Sequence, residues 1–220
     1  RRMKLVVFDV DGTLIDSQDH IHHAMAQAFR AAGLAPLPRA EVLEIVGLSL
    51  PVAVAHLAPG QDGATQARIV AAYRQAFMQA RLVRAAPLYD GAMACLDLLG
   101  GRDDMLLAVA TGKSRRGLAA MIAAHGLEGR FVSLQTADDH PSKPHPSMLL
   151  AAMEEAGVAP SDAVMIGDTS FDMDMARAAG IAAFGVAWGY HPVERLQASG
   201  AAHVAGDFTE LAQAIERWAA

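Results

Sequence analysis

Two aspartates stand two residues apart in the run Asp9-Val10-Asp11-Gly12-Thr13-Leu14, directly after the apolar stretch Lys4 to Phe8. Carboxylates at the end of a stretch that reads as a buried strand are unusual, because a buried charge is costly unless it is paired. Polar residues follow other apolar runs in the same way. Thr111-Gly112-Lys113 comes after Met105 to Ala110, Lys143 lies in the loop after Phe131 to Leu134, and Gly167-Asp168-Thr169 with Asp172 comes after Ala163 to Ile166. If these runs are parallel strands, their ends open on one crevice, which is where open α/β sheets bind ligands.

Brought together there, Asp9, Asp11 and Asp168 would repel one another and ask for a cation. Hard oxygen donors with few histidines among them favour Mg2+, which takes one or two carboxylates plus a substrate phosphate and keeps several waters. With part of the charge neutralised, Asp9 can attack an anionic phosphorus as carboxylate nucleophiles do in forming aspartyl-phosphates. Asp11 can protonate the leaving oxygen and later deprotonate water. Lys143, stiffened by Pro144 and Pro146, offsets further charge, and the Thr111 hydroxyl and Gly112 amide can hold phosphate oxygens at a helix start. Each residue also has a plainer reading: a turn or calcium-loop fragment for the first motif, a β-branched strand residue for Thr111, a surface lysine for Lys143. Asp172 fits a first helical turn for dipole reasons alone.

The elements that must position these residues follow a strand-then-helix rhythm. A further apolar run at Ile181 to Val186 joins the others, separated by alanine-rich stretches of helix length. The expected fold is therefore a Rossmann-like, doubly wound parallel sheet with helices on both faces. Residues 17–86 break the rhythm. Helical patterns at His20 to Ala32, Arg39 to Val46 and Ala64 to Leu82 are punctuated by Gly33, Gly47, Pro51 and Pro59, with no convincing strand. The expected division is a core of residues 1–16 and 87–220 with an all-helical insertion at 17–86.

Composition narrows the setting. A formal net charge of −6 without a long Lys/Arg run gives no footprint for nucleic acid or an anionic membrane. The longest nearly uncharged stretches, such as Gly180 to Tyr190, are shorter than a membrane span. Apolar sequence after Arg1-Arg2 is too short for a signal-peptide core, and the single cysteine, Cys95, forms no internal disulfide, so cytoplasmic residence is expected. A monomer or homodimer is expected. His20, His22 and His23 are read as a solvated helix face, and Asp138-Asp139-His140 as an exposed loop.

Taken together, Asp9-Val10-Asp11-Gly12-Thr13-Leu14, Thr111-Gly112, Lys143-Pro144 and Gly167-Asp168-Thr169 with Asp172 resemble the ordered motifs of the haloacid dehalogenase superfamily. The resemblance implies that Asp9 forms a phospho-aspartate and binds magnesium, and that Asp11 is the acid/base and offers its backbone carbonyl to the metal. It further implies that Asp168 is a metal ligand, Asp172 acts behind the ligands or through water, and Lys143 holds Asp9 and the phosphate. Residues 17–86 resemble the family's helical cap, with Asp16-Ser17 at the hinge. Members that cleave carbon–halogen bonds use no magnesium and lack the second aspartate. Asp11 is present, so hydrolysis of a small phosphate monoester is implied, phosphoglycolate-like or a sugar phosphate. Cap length, Gly47-Leu48-Ser49-Leu50 and Ala187-Trp188-Gly189-Tyr190 look most like the phosphoglycolate phosphatase branch, where asparagine is commoner than Gly112. The alternatives are a sugar-phosphate mutase and a non-catalytic phosphate-ligand binder. Gly47 with Ser49, and Tyr73 with Arg74, are the substrate-facing candidates in the cap, which has no Arg or Lys between Arg39 and Arg68.

Overall fold

A computed structural model describes residues 2–220; Arg1 lies outside the described residues, and Arg2 reaches Asp162 at 3.9 Å. The sheet contains β1 (Lys4–Phe8), β2 (Met105–Thr111), β3 (Ser133–Thr136), β4 (Ala163–Gly167), β5 (Ala182–Val186) and β6 (His203–Ala205). All pairings are parallel, in the order β3-β2-β1-β4-β5-β6. The chain first builds outward from β1 through β2 to β3, then returns to the other side of β1 with β4. The winding direction thus reverses between β1 and β4, and two diverging connections leave a crevice at their carboxyl ends.

Side-chain alternation explains why these strands are apolar throughout. Val6 and Phe8 of β1 join Val164 and Ile166 of β4 in one cluster, capped by α5 (Ala92–Gly100), α6 (Arg115–His125) and α10 (Phe208–Ala219). Leu5 and Val7 join Ala163 and Met165 in a second cluster, under α7 (Ser147–Ala156) and α8 (Ser170–Ala179). With both faces covered, the central strands β1, β2 and β4 are buried at nearly every position whichever way the side chain points, while the edge strand β3 leaves Leu134 exposed. A short helix α9 (Val193–Ala198) packs outside β5.

Between β1 and α5 the chain forms α1 (Gln18–Ala31), α2 (Arg39–Glu44), α3 (Leu50–Leu57) and α4 (Gly63–Val83). These helices bury a third cluster of their own, built on Ile21, Met25 and Phe29 of α1, Val42, Val54 and Ile69. The helices α1 and α4 pack along one another, with the His20 ring of α1 6.1 Å from the Phe77 ring of α4.

Two expectations need correction, and one strand had no local signal. The third strand lies two residues later than Phe131 to Leu134, at Ser133–Thr136, because its edge pairing with Ala108–Thr111 of β2 sets the register, leaving Val132 exposed. Pro51, expected to mark a turn, instead sits in the first turn of helix α3, where a missing N–H costs nothing. The three-residue edge strand β6 was too short to show an alternating pattern.

Candidate active site

Asp9 follows β1 directly and is 2% exposed. Its backbone N–H donates to the Ile166 carbonyl at 2.9 Å, which locks the end of β1 to β4 and so to Asp168, the first residue after β4. Lys143 crosses underneath. Its fully buried ammonium donates to Asp9 Oδ1 at 2.9 Å and to Asp172 Oδ1 at 2.7 Å. Asp172 Oδ2 accepts from the Thr169 backbone N–H at 3.1 Å and its hydroxyl at 2.8 Å, closing a capping box at the start of α8. Asp168 accepts from the Thr13 hydroxyl at 3.0 Å and the Tyr190 backbone N–H at 2.9 Å.

One carboxylate oxygen from each of Asp9, Asp168 and Asp172 lies within 4.8 Å of the others. A single buried ammonium faces these three acids, and the electrostatics record the imbalance. Burial first, then Asp172, raises the Asp9 pKa to about 7 against the pull of Lys143. Burial and then Asp9 hold Asp168 well above the usual carboxylate range. Burial opposes the Lys143 charge, yet Asp172 and Asp9 together keep its pKa above the ordinary lysine value. Asp9 Oδ2 is buried and has no hydrogen-bond partner among the described residues. An all-oxygen set with surplus negative charge and an orphaned carboxylate oxygen fits a hard divalent cation.

Asp11 stands apart from that cluster. Its Oδ1 accepts from the Ser17 hydroxyl at 2.6 Å and from the Lys113 ammonium at 3.2 Å, and it lines the cavity beside Asp9. The side-chain cluster holds Asp172 beside Asp9 and Asp168, while Asp11, expected to meet a metal through its backbone carbonyl, has its carboxylate held by Ser17 and Lys113. Gly12 permits the turn between the two: its φ is +81°, and a Cβ there would meet Asp168 Oδ2 at 2.2 Å.

Thr111 ends β2 buried, its hydroxyl oxygen accepting the Lys113 backbone N–H at 3.1 Å, and it lines the same cavity with Gly112. A Cβ on Gly112 would lie 2.6 Å from the Gly47 carbonyl oxygen and 2.7 Å from that of Leu48. The turn between α2 and α3 thus rests directly on residue 112, and asparagine has no room in this arrangement. Two more contacts tie that turn to the sheet domain. The Ser49 N–H donates to the Ser142 hydroxyl at 2.9 Å, next to Lys143. His191 Nδ1 accepts the Ser170 N–H at 3.0 Å, so Nε2 carries the proton and donates to the Glu44 carbonyl at 2.8 Å. Arg195 pairs with the Glu44 carboxylate nearby.

A cavity of about 440 Å3 lies between the helical segment and the strand ends, lined by Asp9, Asp11, Thr111, Gly112, Ser49, Tyr73 and Arg74 among others. All four cap candidates (Gly47, Ser49, Tyr73 and Arg74) therefore face it. Asp138 also lines it while accepting the Arg115 N–H at 2.7 Å. Asp139 pairs with Arg115, and His140 is held between Ser147 and Gln135. The roles of Lys113, Ser17, Thr13 and Tyr190 were not read from sequence. Lys113 acts across 102 positions, and the nearest signal was its place one residue after the Thr111-Gly112 pair.

A family model described as haloacid dehalogenase-like hydrolase matches residues 6–186. The chain is 36% identical to the probable phosphatase IndB of Dickeya dadantii, over 94% of this chain and 91% of that one. It is 34% identical to a phosphoglycolate phosphatase of Rhodospirillum rubrum, over 94% of this chain and 89% of the relative. Among solved structures, a predicted phosphatase from Clostridium acetobutylicum superposes with a TM-score of 0.88 at 25% identity, covering 99% of this chain and 100% of that one. With the motifs at their strand ends and the match spanning most of its length, this chain belongs to the haloacid dehalogenase-like hydrolase family and is an enzyme of it.

Proposed function

We propose that the chain is a magnesium-dependent phosphatase that hydrolyses a small phosphate monoester through a phosphorylated Asp9. The observation that supports this most is the state of Asp9: buried at the cavity floor, one oxygen held by Lys143 and the other without a partner. A carboxylate with one oxygen held by an ammonium and the other bonded to no protein group keeps that second oxygen for an electrophile.

Asp9 Oδ2 attacks phosphorus and the alcohol oxygen departs. Asp11, anchored through Oδ1 by Ser17 and Lys113, gives that oxygen a proton from its other carboxylate oxygen. Water then attacks the phosphorus of phospho-Asp9, and Asp11 takes its proton, which restores both aspartates and releases phosphate. Lys143 offsets charge on Asp9 throughout, and the Thr111 hydroxyl with the Gly112 N–H holds phosphoryl oxygens at the start of α6. Asp9, Asp168 and the Asp11 backbone carbonyl would hold Mg2+, with Asp172 behind them; when bound, the ion offsets the charge that would otherwise repel an anionic phosphoryl group.

Residues 17–86 act in this proposal as a cap on a core of residues 1–16 and 87–220, swinging about Asp16-Ser17. Their separate apolar cluster, and their few polar contacts with the core at Ser49 and Glu44 beside the close approach to Gly112, support a unit that moves as a body. Action in the cytoplasm on a phosphorylated metabolite belongs to the same proposal; no described helix is long and apolar enough to cross a membrane. The test is phosphate release from p-nitrophenyl phosphate with and without Mg2+. Turnover that survives chelation removes the metal from the proposal, and binding of phosphate esters without turnover favours a ligand-binding protein.

A further inference from the structure

Asp9 and Asp11 make up only a small part of the cavity wall. Most of the helical segment's share is apolar: Ile21 and Met25 from α1, Leu48 and Leu50 from the turn and helix that follow α2, and Phe77 and Met78 from α4. A sugar or a polyol would set many of its hydroxyls against these side chains without partners, since Ser49, Tyr73 and Gln75 are the uncharged polar side chains this segment brings to the wall, and a buried polar group left unpaired is unfavourable. The volume points the same way. At about 440 Å3 the cavity falls in the range of roughly 300–1,000 Å3 that encloses drug-sized ligands, so the ester of a two-carbon acid would leave much of it empty.

Charge adds a second restriction. Arg74, Arg81, Lys113 and Arg116 line the cavity, and among the described residues the one acid facing them there beyond Asp9 and Asp11 is Asp138. Lys113 is spent on Asp11, with its ammonium also 4.9 Å from the centre of the Phe77 ring. No carboxylate among the described residues pairs with Arg81 or Arg116, although Arg81 is close enough to feel the charge of Arg116. A cationic alcohol is therefore repelled, while an aromatic body can lie against guanidinium faces.

We propose, on the phosphatase reading above, that this site selects phosphate esters of a bulky, largely apolar alcohol, of the size of a substituted aromatic ring and without a cationic group. Small polyols are poor substrates, and a small acid, although drawn by the arginines, leaves the apolar wall uncovered. The experiment compares kcat/KM of the full chain with Mg2+ for esters that all leave as primary alcohols, so that leaving-group chemistry is matched. The probes are 2-phenylethyl phosphate, ethyl phosphate, glycerol 3-phosphate, 2-phosphoglycolate and phosphocholine, with p-nitrophenyl phosphate as the reference for phosphatase activity. The expected result is 2-phenylethyl phosphate ahead of each of the others by at least tenfold, with phosphocholine last. If phosphoglycolate or glycerol 3-phosphate equals it while p-nitrophenyl phosphate is turned over, the inference fails and the phosphatase reading stands. If no ester releases phosphate, the phosphatase reading fails and takes the inference with it. Met78→Glu places a carboxylate in the apolar wall, and Met78→Gln is the milder form should that variant not fold. Either is expected to lower the ratio of kcat/KM for 2-phenylethyl over ethyl phosphate, by tenfold for the Glu variant. A ratio unchanged in a folded variant overturns the proposal, because the ratio cancels any general loss of activity.

Discussion

The floor and the roof of the cavity are built on opposite principles. On the floor, Asp9, Lys143, Asp168, Asp172, Thr13 and Thr169 are buried and bonded to one another across elements that are distant in sequence, and almost every polar atom has a fixed partner. The roof is largely apolar, carries arginines without carboxylate partners among the described residues, and meets the core through a few contacts at Gly47, Ser49 and Glu44. A buried polar network has few acceptable arrangements, because each lost partner leaves a charge unpaired. An apolar wall accepts many side chains of similar volume. The floor is thus suited to a fixed reaction and the roof to a changeable substrate.

The largest effect should come from the floor. Asp9→Asn keeps the shape and most of the hydrogen bonding but removes the nucleophile, and kcat should fall on the order of 10⁴-fold or more in steady-state phosphate release. A fall below tenfold would remove Asp9 from that role. Asp11→Asn comes next, with an expected loss of about 10²–10⁴-fold on an alkyl phosphate. Its distinguishing mark is leaving-group dependence: p-nitrophenyl phosphate, whose leaving oxygen needs little protonation, should suffer less than ethyl phosphate.

Smaller effects belong to the seam. Gly112→Ala pushes a methyl group against the Gly47 and Leu48 carbonyl oxygens, now 2.6 and 2.7 Å from where its Cβ would sit. Overpacking of this kind costs about 1–3 kcal/mol and falls on the closed arrangement rather than on the buried floor. The expected outcome is a raised KM, on the order of tenfold, with kcat changed less. Equal loss in both would show that floor and roof are not separable in this way.

The smallest effect is one of pH and metal on stability. Without metal, Asp9 titrates near 7 in the folded chain against an ordinary 3.8, so the native state holds its proton more tightly than the unfolded state. That contribution to stability is present below the ordinary value and is lost as pH rises through about 7. Because Mg2+ needs the carboxylate, adding it should raise Tm by more at pH 8 than at pH 5.5. A rise independent of pH would place the ion elsewhere.

The parts of this picture that were legible in the sequence are local ones. Short apolar runs marked β1, β2, β4 and β5 to within a residue at either end, and polar residues immediately after them marked the site. Where an element's position depends on a neighbour, local pattern was insufficient. The register of β3 is set by β2, and β6 exists through pairing with β5. Helix α3 opens with a proline that reads as a breaker until its place in the first turn is known. In the site, Asp9, Asp168 and Lys143 announced themselves by type and placement. The pairing of Asp11 with Lys113 did not, since a lysine after a strand looks the same whether it faces solvent or a carboxylate.

The amino-acid sequence by itself determined which residues meet at the carboxyl ends of the strands, because alternation, strand length and motif spacing are properties of short segments. It also determined the need for a counter-charge, which follows from the number of aspartates. Tertiary structure alone decided how those charges divide. Lys143 takes Asp9 and Asp172, Lys113 takes Asp11, and one oxygen of Asp9 is left over. It also decided that a side chain at residue 112 is crowded, since the carbonyl groups it would meet come from a turn more than sixty positions earlier. Electrostatic pairing and steric exclusion act over distances of a few ångströms in space, and such distances are not written in the order of the chain.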